Sequence, residues 1–305
     1  MPKHEVKIIV NPNADLGRAW RWASELHPIV KQYGGADWSG TVYPTHALEL
    51  ARQAGEAGYK LVIAVGGDGT VHEVINGLMR LPPDQRPKLG IVPFGSGNDF
   101  AYAAGVDHRS AKALKQVFTG KPKRMDVARL EDDRGLVEYV DNTVGIGFDA
   151  TVNIRSRKIT MVRGFFVYLI AVLQTILLNH EAPRMRVKTD REQWDEEMLM
   201  LVLCNGRREG GGFIVAPEAR PDDGLFDYAA IRRVSRVMML RLVPEVMRGT
   251  HGRFKQVSLG KLSRLELETD RAITIHTDGE IFAGFGTNVH RISLQVLPGE
   301  IEVVV

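Results

Sequence analysis

The chain has 305 residues, with 40 Lys and Arg against 37 Asp and Glu, so its net charge of +3 is too weak to point to nucleic acid. Hydrophobic residues make up 44% and charged residues 25%, the balance of a soluble globular protein with length for two domains. The single cysteine, Cys204, excludes an intrachain disulfide and points to a reducing cytoplasm, its simplest role being that of a small buried hydrophobe.

Met1 to Glu5 leads directly into a strand pattern, Val6 to Val10, which leaves no room for a secretory signal. That strand ends in Asn11-Pro12-Asn13-Ala14. A helical period covers Glu49 to Ala57, and the buried strand Leu61 to Val65 then breaks into Gly66-Gly67-Asp68-Gly69-Thr70. Helix follows over Val71 to Met79. Leu89 to Val92 is another short apolar run, ending in Pro93-Phe94-Gly95-Ser96-Gly97-Asn98-Asp99-Phe100-Ala101, with helix again over Ala111 to Phe118. Strands alternating with helices predict a largely parallel sheet, whose carboxyl-end loops gather along one edge. Glycines let backbone N–H groups approach phosphate oxygens there, and the helix N-terminus adds positive potential. The competing reading of the Gly-Gly-Asp-Gly segment is a plain tight turn.

Three other chemistries fail on spacing. His72 stands where a dinucleotide fingerprint needs its third glycine, no P-loop pattern occurs, and Phe94 occupies the first glycine of a nucleophile elbow. His72-Glu73 also lacks the second histidine of a zinc-protease helix, which makes His72 a wall of the phosphate loop rather than a metal ligand.

Beyond residue 125 the pattern turns β-rich. Asp126 to Leu130, Glu138 to Val144, Met185 to Thr189, Met198 to Cys204, Leu225 to Ile231, Leu262 to Glu268 and Ile273 to Thr277 read as short strands. Asp-Gly and Arg-Gly turns punctuate them, which predicts an antiparallel sandwich or barrel. Helices interrupt it over Ala150 to Leu178 and Ser235 to Arg248. The apolar stretch from Gly164 to Leu173 falls short of the ~20 residues that cross a bilayer. Basic residues flank it: Arg155, Arg157, Lys158 and Arg163 before, Arg184, Arg186 and Lys188 after. Domains are expected over 1–125 and 126–290, with 291–305 returning to complete the first.

At this point the residues resemble the diacylglycerol kinase catalytic domain family, which includes sphingosine and ceramide kinases. The resemblance rests on Val65 to Thr70, Pro93 to Ala101, Asn11-Pro12, Asn142 to Ala150, Asp222-Asp223-Gly224 and Asp278-Gly279-Glu280, in family order. It implies an α/β nucleotide-binding domain plus an antiparallel β-sandwich domain, with the active site in the cleft between them. It also implies transfer of the ATP γ-phosphate to a lipid hydroxyl with Mg²⁺, most simply diacylglycerol to phosphatidic acid. Asn11, Thr45, Gly66, Gly67, Asp68, Gly69, Thr70, Val71, His72 and Ser96 are then the nucleotide-binding set, with Thr45 equally readable as a helix N-cap.

Asp68 repels phosphate, so its expected role is to hold Mg²⁺. Asn98 and Asp99 either brace their loop or contact the nucleotide. Asp278 and Glu280, two apart at a strand end, are expected to point the same way and share the work of base and orienting group, the competing reading being an Asp-Gly hairpin turn with an exposed glutamate. The resemblance places a second, structural Mg²⁺ at Asp223 with the main-chain carbonyls of Arg220 and Leu225, the competing reading being a simple turn held by Asx hydrogen bonds. Arg18 stands where many members carry a phosphate-facing Lys.

The expected setting is the cytoplasm, peripheral to the inner face of an anionic membrane, with a homodimer left open and no nucleic-acid partner. Competing readings are a kinase of a sphingoid base, ceramide or phosphatidylglycerol, an NAD or sugar kinase sharing the first glycine loop, and a catalytically silent nucleotide sensor. The apolar segment Phe165 to Leu178 argues against a polar acceptor, and the presence of Asp278 and Glu280 argues against silence.

Overall fold

The computed structural model describes residues 3–17, 19–159, 162 and 165–305. Arg18 and Arg163, assigned to a phosphate and to a membrane, lie outside them. The chain forms two compact units, one of residues 1–126 and 299–305, the other of 127–298.

In the first unit, strands β1 (Val6–Val10), β2 (Asp37–Gly40), β3 (Leu61–Gly66) and β4 (Lys88–Pro93) pair in parallel in the order β2-β1-β3-β4. Their continuous apolar runs suit a sheet covered on both faces. Ile8, Ile9, Val62, Ile63, Ala64, Leu89 and Ile91 are fully buried. The accompanying helices are α1 (Ala14–Gly17), α2 (Ala19–Gln32), α3 (His46–Glu56), α4 (Asp68–Met79), α5 (Asp99–Ala104) and α6 (Ser110–Thr119). Helices α3 and α4 cross closely at Gly77, where a Cβ would come within 2.2 Å of the Leu48 carbonyl oxygen. Val303 adds the next parallel partner, opposite Leu89.

Helix α4 begins at Asp68, three residues before the predicted start. The glycine turn is therefore not a separate loop before the helix but its first turn.

The second unit is an antiparallel sandwich. Its elements are β5 (Pro122–Asp132, entering from the first unit), β6 (Val137–Val140), β7 (Thr143–Gly147), α7 (Phe148–Ser156), α8 (Phe165–Leu178), β8 (Arg184–Thr189), β9 (Gln193–Cys204), β10 (Phe226–Arg232), α9 (Arg236–Arg248), β11 (Val257–Leu262), β12 (Arg264–Thr269), β13 (Ile275–Thr277), β14 (Glu280–Ala283) and β15 (Arg291–Val304). Strand β9 serves both layers: Gln193 to Glu197 pairs with β8, and the following residues pair with β7 and β10. One layer continues through β12 to β15, the other through β13 to β14 and through β10 to β11. Leu130, Ile146, Val187, Leu201, Phe226 and Leu265 fill the space within the sandwich. A second core, with Val152, Ala171, Ile176 and Leu242, packs α7, α8 and α9 on its outside.

The single helix predicted over Ala150 to Leu178 is two, α7 and α8. The strand predicted over Glu138 to Val144 is also two, because the main chain at Asp141 to Thr143 is held by a side chain from elsewhere, described below. Among the described residues no helix is long and apolar enough to cross a membrane.

Candidate active site

In the first unit the carboxyl ends of β1, β3 and β4 bring three predicted loops together. Asn11 donates its backbone N–H to the Val65 carbonyl at 3.0 Å, and its side-chain Nδ2 lies 3.2 Å from Thr70 Oγ1. Phe94 N–H reaches the Gly66 carbonyl at 2.8 Å. Gly67 and Gly95 meet backbone to backbone, since a Cβ on Gly95 would stand 2.5 Å from the Gly67 Cα. Here glycine is required by close approach rather than by a special φ.

The leading amides of α4, at Gly67, Asp68 and Gly69, have no intrahelical acceptor and carry the positive end of the helix. Thr70 N–H and Val71 N–H instead return to the Gly67 carbonyl at 3.0 and 3.2 Å. Val71 and His72 are buried, so the His72 side chain does not form the open wall predicted for it. The His72 ring nitrogen Nε2 lies 3.3 Å from Asn76 Nδ2. Ser96 is exposed.

Asp68 ties two loops together. Its Oδ2 accepts the Asn98 N–H and its Oδ1 the Asp99 N–H, both at 2.7 Å. Asn98, at φ 53°, closes its own loop by accepting from Gly95 N–H and donating to the Gly95 carbonyl. These bonds let Asn98 brace its own loop. A Cβ at Gly97 would lie 2.7 Å from Asp68 Oδ2 and 3.2 Å from Asp99 Oδ2, so these carboxylates flank a gap that only glycine leaves open. Burial, with the charge of Asp99 beside it, pushes the Asp68 carboxyl up to about 7 against the amides that favour its charged form. A hard cation beside such a pair would relieve that repulsion, so the donor set fits Mg²⁺.

Thr45 is exposed at φ 69° and makes no side-chain cap. The cap of α3 comes from Glu73 on α4, whose two oxygens accept Thr45 N–H at 2.9 Å and Ala47 N–H at 3.0 Å. The N-cap reading of Thr45 is thus replaced by Glu73. Its carboxylate comes from 28 residues away, which no local pattern reveals.

In the second unit the Asp278-Glu280 pair is split. Asp278 and Gly279 both have positive φ, 51° and 84°, which reverses the chain instead of extending it. Asp278 turns inward: its Oδ1 accepts Asn142 N–H at 2.8 Å and Thr143 N–H at 2.7 Å, and its Oδ2 accepts Asp141 N–H at 3.0 Å. These bonds interrupt β6 and β7. Glu280 faces outward, 45% exposed, with Arg157 at 2.7 Å from its Oε2 and also bonded to the Gly279 carbonyl. The expectation that both carboxylates point one way is therefore corrected by the turn between them.

His276, fully buried, lies 2.8 Å by its Nε2 from both Asp149 Oδ2 and Glu209 Oε1. Burial alone would discharge the ring, but the two carboxylates override it and hold its pKa up to about 10. Gly279 N–H, 3.3 Å from Nδ1, suits a neutral ring, and that long contact is outweighed by the two short ones. Gly145 makes room, because a Cβ there would fall 2.0 Å from Asp149 Oδ2 and 2.2 Å from His276 Nε2. Asp149 and Glu209 also edge an apolar pocket of about 70 Å³, walled by Tyr168, Val172, Phe213 and Leu242. Neither Glu209 nor His276 carried a sequence signal.

The turn predicted to hold a structural Mg²⁺ does not fit a divalent ion. Asp223 Oδ1 accepts the Leu225 N–H at 3.2 Å, and its Oδ2 meets Lys261 Nζ at 2.7 Å. The Arg220 side chain pairs with Asp222.

Most of the described basic residues flanking α8 have partners: Arg155 bonds Asn179, Arg157 bonds Glu280, Arg184 pairs with Asp195, Arg186 with Asp195 and Glu268, and Lys188 with Glu266, while Lys158 pairs with no acid among the described residues.

Comparison with known proteins accords with this geometry. Residues 5–130 match the diacylglycerol kinase catalytic domain, and residues 142–305 match the YegS C-terminal NAD kinase beta sandwich-like domain. A Chromohalobacter salexigens protein named "Probable lipid kinase YegS-like" is 33% identical over 235 residues, covering 76% of this chain and 73% of its own. A Mycobacterium tuberculosis protein named "Diacylglycerol kinase" is 30% identical over 254 residues, 82% of this chain and 81% of its own. A crystal structure described as a diacylglycerol kinase from Bacillus anthracis shares the fold, with a TM-score of 0.73, 22% identity and coverage of 100% of this chain and 98% of that one. With the glycine loops, the Asp278 turn and both domain types in place, the chain belongs to the diacylglycerol kinase catalytic-domain family and is a kinase.

Proposed function

We propose that the protein transfers the γ-phosphate of Mg-ATP to the hydroxyl of a membrane lipid, with diacylglycerol as the first acceptor. The carrying observation is the pocket in the second unit: apolar walls suit an alkyl segment, and the Asp149 and Glu209 carboxylates at its edge suit a polar head. An NAD or sugar acceptor would need polar walls instead.

In this reading the leading amides of α4 and the Gly95 to Asn98 loop hold the donor phosphates. Asp68 and Asp99 hold Mg²⁺, which when bound neutralises charge on the phosphates. Glu280 accepts the proton of the lipid hydroxyl, its solvent access and its Arg157 partner leaving one oxygen open to bind it. Asp278 keeps the turn beneath Glu280 in place.

Membrane contact is assigned to the apolar surface of α8, where Phe166, Leu177 and Leu178 are each more than 60% exposed. Of the described flanking cations, Arg155, Arg157, Arg184, Arg186 and Lys188 are engaged by acidic or amide partners, which leaves Lys158 to add to the contact.

The test is transfer from γ-labelled ATP to diacylglycerol, a sphingoid base, ceramide, phosphatidylglycerol, NAD and hexoses, with lipids in micelles and in vesicles. Labelled phosphatidic acid is the expected product, and Phe166→Ser/Leu177→Ser should lower the vesicle rate without lowering the micelle rate. Label in NAD or hexose alone would overturn the reading.

A further inference from the structure

We propose that Lys261 is the resident cation of the Asp223 turn, and that the β-sandwich unit needs no divalent ion there. The family resemblance places a structural Mg²⁺ at this turn, and the side chains present take its place from within.

Lys261 on β11 stands directly across from Asp227 on β10 in the antiparallel ladder. That register brings its ammonium 2.7 Å from Asp223 Oδ2 and 3.4 Å from Asp227 Oδ2. The three side chains are mostly enclosed, 29% exposed for Lys261, 22% for Asp223 and 10% for Asp227. Bonding to Asp223 holds the ammonium in its charged form, with Asp227 adding to the effect. Burial pushes the Asp227 carboxyl up, Lys261 opposes this, and Asp223 and Glu218 add to it. Asp223, Asp227 and Glu218 thus gather negative charge at the cluster, and the Lys261 ammonium answers it.

A divalent ion binds a carboxylate oxygen at about 2.0–2.6 Å, close to where Nζ already sits. Two cations cannot share that oxygen without strong repulsion, and the ammonium is tethered. The other oxygen of Asp223 is engaged by Leu225 N–H, which shapes the turn around Gly224 at φ 77°. Lys261 therefore does for Asp223 and Asp227 what a bound ion would do, without the need for ion in solution.

This inference does not depend on the acceptor or on catalysis. Its test is thermal unfolding of the nucleotide-free full chain in EDTA, and in millimolar Mg²⁺ or Ca²⁺. The wild type should melt at the same temperature in all three. Lys261→Met, which keeps the aliphatic stem, should melt roughly 2–6 °C lower in EDTA and recover on adding either ion. Adding Asp223→Asn should abolish that recovery. Should Lys261→Met not fold, Mn²⁺ titration of the wild type and of Asp223→Asn, followed by electron paramagnetic resonance, decides the matter. Equal Mn²⁺ uptake by the two supports the proposal. A wild type that loses stability in EDTA, or binds an Mn²⁺ that Asp223→Asn removes, overturns it.

Discussion

Replacing Asp278 by Asn and Glu280 by Gln separates scaffold from chemistry within one turn. Asp278 accepts three main-chain N–H bonds and is buried, so each is a bond to a charged acceptor, worth about 1.5–3 kcal/mol. Asn keeps one oxygen, which weakens two of the bonds by roughly half, and it sets an NH₂ against the remaining N–H. Asn tolerates the left-handed backbone at this position, so backbone strain does not confuse the result. The expected loss is about 4 kcal/mol, or roughly 8–16 °C in melting temperature for a unit of this size. Glu280 is half exposed, and losing its pair with Arg157 costs about 0.2–1 kcal/mol, little in melting temperature. Its loss as a general base should lower turnover by about 10²–10⁴. Differential scanning calorimetry beside a steady-state transfer assay reads both. If Asp278→Asn melted within about 2 °C of wild type while losing as much turnover as Glu280→Gln, the scaffold role would be refuted.

Gly95→Ala should abolish ATP binding by isothermal titration calorimetry while circular dichroism stays native, because its Cβ would drive the Gly67 backbone out of the phosphate cradle. Alkaline unfolding tests the His276 cluster. Its raised pKa means that the stability it contributes is complete below the free-imidazole value near 6.5 and fades as pH rises through about 10. Urea midpoints should therefore fall more steeply between about pH 7 and 10 in the wild type than in His276→Gln. Parallel slopes would show a neutral ring.

What could be read along the chain was what depends on neighbours in sequence. The strand-glycine-helix units follow from short apolar runs and residues that permit a turn, and the three loops converge because parallel strands leave them no other edge. What stayed hidden was side-chain direction set by distant backbone. The Asp278-Gly279 turn is legible, but Asp278 faces inward because main-chain N–H groups at Asp141 to Thr143, far back in the chain, take up its carboxylate. Arg157 reads as one cation in a basic run, yet its partner lies 123 residues on. Lys261 carries no motif, because its role arises from a strand register and not from its neighbours in the chain.

The return of residues 299–305 to the first unit bears on the order in which the chain becomes structured. Leu89 on β4 lacks its outer neighbour until Val303 exists, and Lys121 exchanges backbone hydrogen bonds with Val305 at 3.0 and 3.1 Å. Arg86 reaches the carbonyl of Glu300, 214 residues later in the chain. At ribosomal speeds of ~5–20 residues per second, that separation is roughly 10–40 s of synthesis. Throughout that interval the nucleotide-binding sheet presents an open parallel edge, while every strand of the sandwich between is being made. The phosphate cradle sits in a layer whose outer edge is closed only by residues that follow the whole sandwich in the chain.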